Sequence, residues 1–387
     1  MTGFGRRDVC RVGAAGALAV AGLGTTGTGA VVGSAEQNTN GRVVFVYDDS
    51  WREDWTDTFP VHQDEGVPAC SAAVVDHVDT SWGLLPEHLR EMEDAGWEIM
   101  AHTTSHVAVG NLYLTAPAAA GDERLYLDGS FLAEYEGEEI VISDGDRTVE
   151  NAVAGGDRDD TGIYLDLAEP VGESFDAGTA YVRFTEDRIR DEVVSSKEAL
   201  EELGVEVDGF VSPYGRSDGL VEDLVRDHYA AFANRGGNGV NALEGLDPHA
   251  LGRSSIDGHA VTEAEIEAFF DDVAANDALG IAVGHSQFDE TTPERIRFAI
   301  RAAKERDLEI VTLRTALADL GFRAGNGGGT DGTGEESNES NGTDGTGEES
   351  DESDDDSLPG FGIAGTLAGL GTAGYLLSNR RRDDERS

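Results

Sequence analysis

The chain has 387 residues, of which 77 are Asp or Glu against 28 Lys or Arg, giving a formal net charge of −49 with lysine only at Lys197 and Lys304. So negative a field repels phosphates and excludes nucleic acid as a partner. Carboxylates along the whole length, with arginine in place of lysine, read as a surface adapted to high salt, where screening removes most self-repulsion, as in a protein of a halophile.

Residues 1–35 read as a targeting segment. Arg6-Arg7 precede a mildly apolar Ala/Gly-rich run, and Gly33-Ser34-Ala35 offers a small-residue cleavage site. Twin arginines before so weak an apolar stretch are similar to a Tat signal, which exports proteins already folded. Cys10 falls inside this segment, so the mature chain keeps Cys70 alone and forms no internal disulfide. Cys70 itself reads as a small buried apolar residue rather than a catalytic thiol.

The apolar run 43–47 predicts a buried strand, and it ends on Asp48-Asp49-Ser50. Successive residues leaving a strand point in different directions, so one carboxylate can hold a metal while its neighbour stays free as a base. Val67-Pro68-Ala69 enters a second strand, residues 85–90 open a helix, and residues 98–100 form a third strand leading into a turn over 101–106. In that turn His102 and His106 stand four residues apart. The pair alone is a weak signal, but together with Asp49 it supplies one carboxylate and two imidazoles, an open site for a divalent cation.

Residues 109–185 change pattern. Short strand-like runs at 125–127, 139–142, 163–167 and 181–184, separated by Asp-Gly, Gly-Gly and Pro-containing turns, predict a small all-β insertion, long enough to be a domain of its own. Alternation then resumes with helix 188–203, strand 205–211, the loop Pro213-Tyr214-Gly215, helix 220–228, strand 230–233, helix 263–276, strand 281–283, helix 293–306 and strand 309–313. Such a βα series implies a parallel sheet with right-handed crossovers, an α/β class. Residues 323–358 are a self-repelling acidic linker that cannot bury a core. Pro359-Gly360-Phe361 opens an apolar run, closed by Arg380-Arg381-Arg382, that reads as a membrane or sorting segment over 359–387.

On these residues the chain resembles the polysaccharide deacetylases, the NodB-type carbohydrate esterases. Val46-Tyr47-Asp48-Asp49-Ser50 is similar to the family's T-F-D-D-G, His102-Thr103-Thr104-Ser105-His106 to its H-[ST]-x-x-H, and Phe210 to Gly215 to its R-x-P-Y-G loop. Ile281-Ala282-Val283-Gly284-His285 is similar to its final L-x-H motif, and the motif order is kept. The resemblance covers 42–108 and 186–322, and it implies a distorted, incomplete (β/α) barrel with functional loops at the strand C-termini.

It further implies metal-dependent removal of acetyl groups from a carbohydrate. Asp49, His102 and His106 would hold a divalent metal, Zn²⁺ first among the expectations. Asp48 would be the general base, and Pro213 and Tyr214 would frame the oxyanion site. His285 would be the general acid. An acetylated polysaccharide or glycan is then the expected partner. The C-terminal tripeptide, apolar run and basic end resemble the archaeal PGF-type sorting signal, which places the protein outside the cell and anchored to the membrane. Two departures stand out: Val211 occupies the place of the family's arginine, and the fourth motif with its tryptophan is not recognisable. Arg253 and Asp257 are the candidates to orient Asp48 and His285 instead. A catalytically inactive, glycan-binding surface protein on the same fold stays open as the second reading.

Overall fold

The computed structural model describes residues 41–234 and 238–322. The expected signal, acidic linker and C-terminal segment lie outside the described residues. Among the described residues no helix is long and apolar enough to cross a membrane.

The first strand, β1 (Arg42–Asp48), is buried without interruption from Val43 onward, as a central parallel strand should be. A π-type turn over Asp54–Thr58 runs into α1 (Phe59–Glu65), followed by β2 (Cys70–Ala73), α2 (Pro86–Asp94) and β3 (Glu98–Ala101). Helix α1 had no clear signature in the sequence. Its Gly66 stop, at φ 67°, is the kind of left-handed cap that only the structure makes legible.

The insertion contributes β4 (Leu112–Tyr113), β5 (Arg124–Leu127), β6 (Glu139–Ser143), β7 (Thr148–Arg158), β8 (Ile163–Leu167) and β9 (Tyr181–Phe184). These strands form a separate antiparallel sheet in the order β4-β9-β6-β7-β8-β5. The longest of them, β7, was not expected, because its Glu, Asn, Gly and Asp residues have poor strand propensity; ladders to β6 and β8 hold it. Leu112 and Tyr113 pair with Val182 and Tyr181, so the insertion enters and leaves at one place. One apolar cluster runs from Val107 and Val109 through Leu112 to Ile140, Val182 and Phe184, and on into the layer beneath the barrel helices.

The βα series then resumes with α3 (Glu186–Arg190), a π-type segment over Asp191–Ser195, α4 (Ser196–Glu202), β10 (Val207–Phe210), α5 (Gly219–His228) and β11 (Ala231–Phe232). The short β12 (Val240–Asn241) and β13 (Ser254–Ser255) precede α6 (Glu263–Ala275), β14 (Leu279–Gly284), α7 (Pro293–Lys304) and β15 (Glu309–Ile310). The strands order as β11-β10-β3-β2-β1-β14, with β13 parallel and β12 antiparallel on the far edge of β14. The sheet curls until its ends meet at a single bridge between Ala233 and Leu251. This is a distorted, incomplete (β/α) barrel.

Strand alternation sorts the side chains. Val43, Phe45 and Tyr47 lie under the helices, whereas Val44, Val46, Met100, Val211, Leu251, Leu279 and Ile281 form the barrel interior. Carrying the inward period forward along each strand brings Asp48, His102, Arg253 and His285 to the same end of the barrel.

The other end is closed by α8 (Leu313–Asp319), whose Leu313, Ala316 and Leu317 join the interior cluster. The expected strand over 309–313 therefore ends early. Thr312 caps the helix by accepting from the Thr315 N–H at 3.2 Å, and this local bond wins over the β-branched residues before it. The Arg314 N–H donates to Glu98 at 2.6 Å, and the Cys70 thiol faces the same carboxyl at 3.6 Å.

Burial pushes Glu98 up to about 7 despite the Arg314 bond. A carboxyl whose folded pKa lies above its unfolded one binds more protons when folded, so its stabilising contribution falls as pH rises from about 4.3 to about 7. Glu98→Gln should therefore gain on the wild type across that window, by up to about 3 kcal/mol, and hold a constant difference above it. Melting curves of both proteins at pH 5 and pH 8.5 check this; equal differences at the two values would refute it.

Candidate metal-dependent active site

Asp49, His102 and His106, all buried, present one ligand atom each within 4.8 Å of one another. Asp49 Oδ1 lies 2.9 Å from His106 Nε2 and 3.3 Å from His102 Nε2. His102 Nδ1 is 2.8 Å from the Val211 carbonyl, which can only accept, so Nδ1 carries the hydrogen and the Nε2 lone pair faces Asp49. Acceptors converging in this way repel unless a cation or a proton sits among them, and a donor set of one carboxylate and two imidazoles suits a divalent transition metal. Burial alone would raise the Asp49 carboxyl. The imidazoles of His106 and His102, with His285 further off, outweigh it and hold the group well below the usual carboxylate range.

The backbone is bent to aim these groups. Among the described residues, five of the eight non-glycine residues with positive φ are Asp49 (81°), Ser50 (58°), Thr103 (65°), His106 (58°) and Tyr214 (58°). Such conformations cost about 1–3 kcal/mol each and persist only where surroundings over-determine them. Glu192 is one of those surroundings. Fully buried in the π-type segment, it accepts from the Thr104 and Ser105 N–H groups at 2.9 and 2.8 Å and from the Ser105 hydroxyl at 2.5 Å.

Asp48 stands beside the cluster without joining it, its Oδ2 3.9 Å from His102 Nε2 and 3.8 Å from His285 Nε2. Arg253 grips it with both arms, Nη1 to Oδ1 at 2.9 Å and Nη2 to Oδ2 at 3.0 Å. Asn234 accepts from the same guanidinium at 3.3 Å and donates to the Ser212 carbonyl. Asp257 accepts from His285 Nδ1 at 2.7 Å and from its backbone N–H at 2.8 Å, with Thr291 as a further donor at 2.9 Å. Burial would lower His285, but the Asp257 carboxylate, helped by Asp49 and Asp48, pushes it up to about 10, so it is a ready donor. Tyr214 lies on the turn after Pro213, its hydroxyl 3.2 Å from His106 Nδ1.

All nine residues singled out from the sequence thus gather at one mouth. Others gather there that the sequence did not announce. Gln287 donates to Asp49 Oδ2 at 2.6 Å, and His77 Nδ1 donates to the Asp49 carbonyl at 2.7 Å. Ser286 donates to the buried Asp54 at 2.6 Å. Burial, added to by the negative charges of Asp49 and Asp48, pushes the Asp54 carboxyl well above the usual carboxylate range. Glu192 and Asp54 carry no motif, and only Gln287, two positions past His285, had a positional hint.

Residues 35–121 match the polysaccharide deacetylase family model. No curated protein matches the chain. Among solved structures, it is similar to the Xyl-CE4 domain of a multidomain xylanase from the hindgut metagenome of Trinervitermes trinervoides, at 12% identity and TM-score 0.42 over 73% of this chain and 93% of that one. A family 4 acetyl xylan esterase from Clostridium thermocellum, in complex with cobalt, gives 15% identity and TM-score 0.41 over 73% and 93%. A CE4 family pseudoenzyme from Bacillus anthracis gives 11% identity and TM-score 0.39 over 73% and 66%.

Proposed function

We propose that the chain is a metal-dependent hydrolase that removes acetyl groups, as ester or amide, from a carbohydrate. The observation that carries this reading is the convergence of Asp49, His102 and His106 beside a carboxylate held by Arg253 and an imidazole held by Asp257. The family match over 35–121 supports the substrate class. Bound at the three ligands, a divalent cation, Zn²⁺ in our reading, would polarise the acyl oxygen and acidify a water.

The chain's own residues supply the proton transfers. Asp48 accepts the proton of the attacking water, with Arg253 keeping its carboxylate aimed. The Tyr214 N–H, on the turn set by Pro213, donates to the oxygen that gains charge. His285 gives its proton to the departing sugar oxygen or nitrogen, and Asp257 stabilises the charged form until then. The products are acetate and the free hydroxyl or amine. The inactive glycan-binding reading drew on valine at 211 and on the unrecognised fourth motif; the guanidinium paired to Asp48 speaks against the first of these grounds.

The test is acetate release from N-acetylated and O-acetylated oligosaccharides, in high salt with added Zn²⁺. Glycan binding with no acetate from either class would favour the inactive reading. We also propose that the protein is exported and tethered through residues 359–387. Truncation after Phe322 should then release it into the medium, and continued membrane retention of that truncation would overturn the tether.

A further inference from the structure

We infer that the β insertion is a working part of the metal site: through Phe131 and Asp128 it positions the Tyr214 turn, and through Tyr214 it positions His106. This rests on the metal-site reading above and concerns residues outside the motifs that led to it.

Tyr214 is held between two rings. Its ring centroid lies 4.9 Å from that of His106 on one side and 4.2 Å from that of Phe131 on the other, the latter pair stacked at 21°. Phe131 belongs to the insertion, between β5 and β6. Gly129 gives its ring room, since a Cβ there would come within 2.6 Å of it. The turn is gripped a second time by Arg216, two residues on. Its Nη1 donates to Asp128 Oδ2 at 2.9 Å, and its Nη2 to the Asp128 carbonyl at 3.3 Å, while its guanidinium carbon stands 5.6 Å from the Phe131 ring centre. Asp128 is fixed in turn, because its Oδ1 accepts from the Tyr113 N–H at 3.0 Å. Beside this clamp Gly110 passes so close to Ser217 that a Cβ would meet backbone atoms at 2.4 Å. The chain leaving the histidine loop and the chain leaving the tyrosine turn are therefore in backbone contact.

Tyr214 has a φ of 58°, a conformation that an L residue does not hold unaided. Its hydroxyl meets His106 Nδ1, and a partner at the second nitrogen of a ligating imidazole fixes the ring and raises its basicity. The insertion supplies the over-determination that holds this tyrosine in place.

The test compares Phe131→Ala, its conservative counterpart Phe131→Tyr, and Tyr126→Ala as a control on β5 away from the turn. Two readouts are taken: affinity for Co²⁺ with its visible coordination spectrum, and amide exchange across residues 212–217 in metal-free protein. Phe131→Ala is expected to weaken Co²⁺ by about tenfold or more, alter its spectrum, and speed exchange in the turn but not in β10. Phe131→Tyr should restore both, and Tyr126→Ala should change neither. Wild-type Co²⁺ binding with unchanged affinity and turn exchange in Phe131→Ala would overturn the inference alone. Equal effects from Tyr126→Ala would also overturn it, as mere loss of fold. Failure of the wild type to bind Co²⁺, with faster turn exchange in Phe131→Ala, would overturn the metal-site reading and the step to His106 with it.

Discussion

Asp48→Asn is expected to bind a divalent cation as the wild type does and to release acetate about 10²-fold more slowly or worse. The two adjacent aspartates have different surroundings. Asp49 Oδ1 lies 2.9 and 3.3 Å from the histidine nitrogens, whereas Asp48 Oδ2 stands 3.9 Å from His102 Nε2 and 3.8 Å from His285 Nε2, and both its oxygens accept from Arg253. An asparagine keeps the shape of Asp48 but cannot take a proton from water. Asp49→Ala, His102→Ala and His106→Ala should instead lose metal and activity together. Metal content per chain, measured alongside acetate release in high salt, separates the two outcomes. Full activity in Asp48→Asn would make the assigned mechanism wrong.

Arg253→Met should be more damaging still, because it acts on stability as well as turnover. Asp48 is 2% exposed and its partner's side chain 9%, so removing the guanidinium leaves a buried carboxylate uncompensated. Breaking a buried pair on one side costs about 3–5 kcal/mol, and a carboxyl that escapes the cost by protonating is no longer a base. Turnover should fall at least as far as in Asp48→Asn. Arg253→Lys should recover little, since an ammonium cannot reproduce the two-armed grip. Arg253→Met combined with Val211→Arg should recover part of the activity, because Val211 lies in the same inward layer as Val46 and Met100. A single Arg253→Met variant with wild-type melting temperature and turnover would show that the pair is idle.

The sequence was most informative where a residue type and a strand end coincide. Asp48, His102 and His285 follow buried runs at the positions that alternation sends inward, so both their chemistry and their placement were legible, whereas Asp49 and His106 were legible by type and spacing and are aimed by backbone at positive φ. Arg253 was legible only as a candidate, because β13 is two residues long and gives no period to follow. Glu192 and Asp54 were not legible at all, and Gln287 only through its place two residues past His285. Their roles come from reaching across the fold to backbone N–H groups and side chains far off in sequence, and no local pattern records that. The elements that the sequence did not announce, α1, β7 and α8, form for the same reason: a cap, a ladder or a packed end outweighed propensity.

The pairing of β4 with β9 has a consequence for how the molecule assembles. His106 precedes the insertion and Val211 and Tyr214 follow it, so the site cannot form until the intervening chain has been brought back to its starting point. As a slack loop, ~75 residues is roughly four doublings beyond a short connection, an added closure cost of about 2 kcal/mol. Once the six strands have formed, the Leu112 and Val182 ends are already side by side, and β10 reaches its parallel pairing with β3 through a crossover over α3 and α4 alone. The insertion thereby turns a distant encounter into a local one, which favours an order of events in which it folds first.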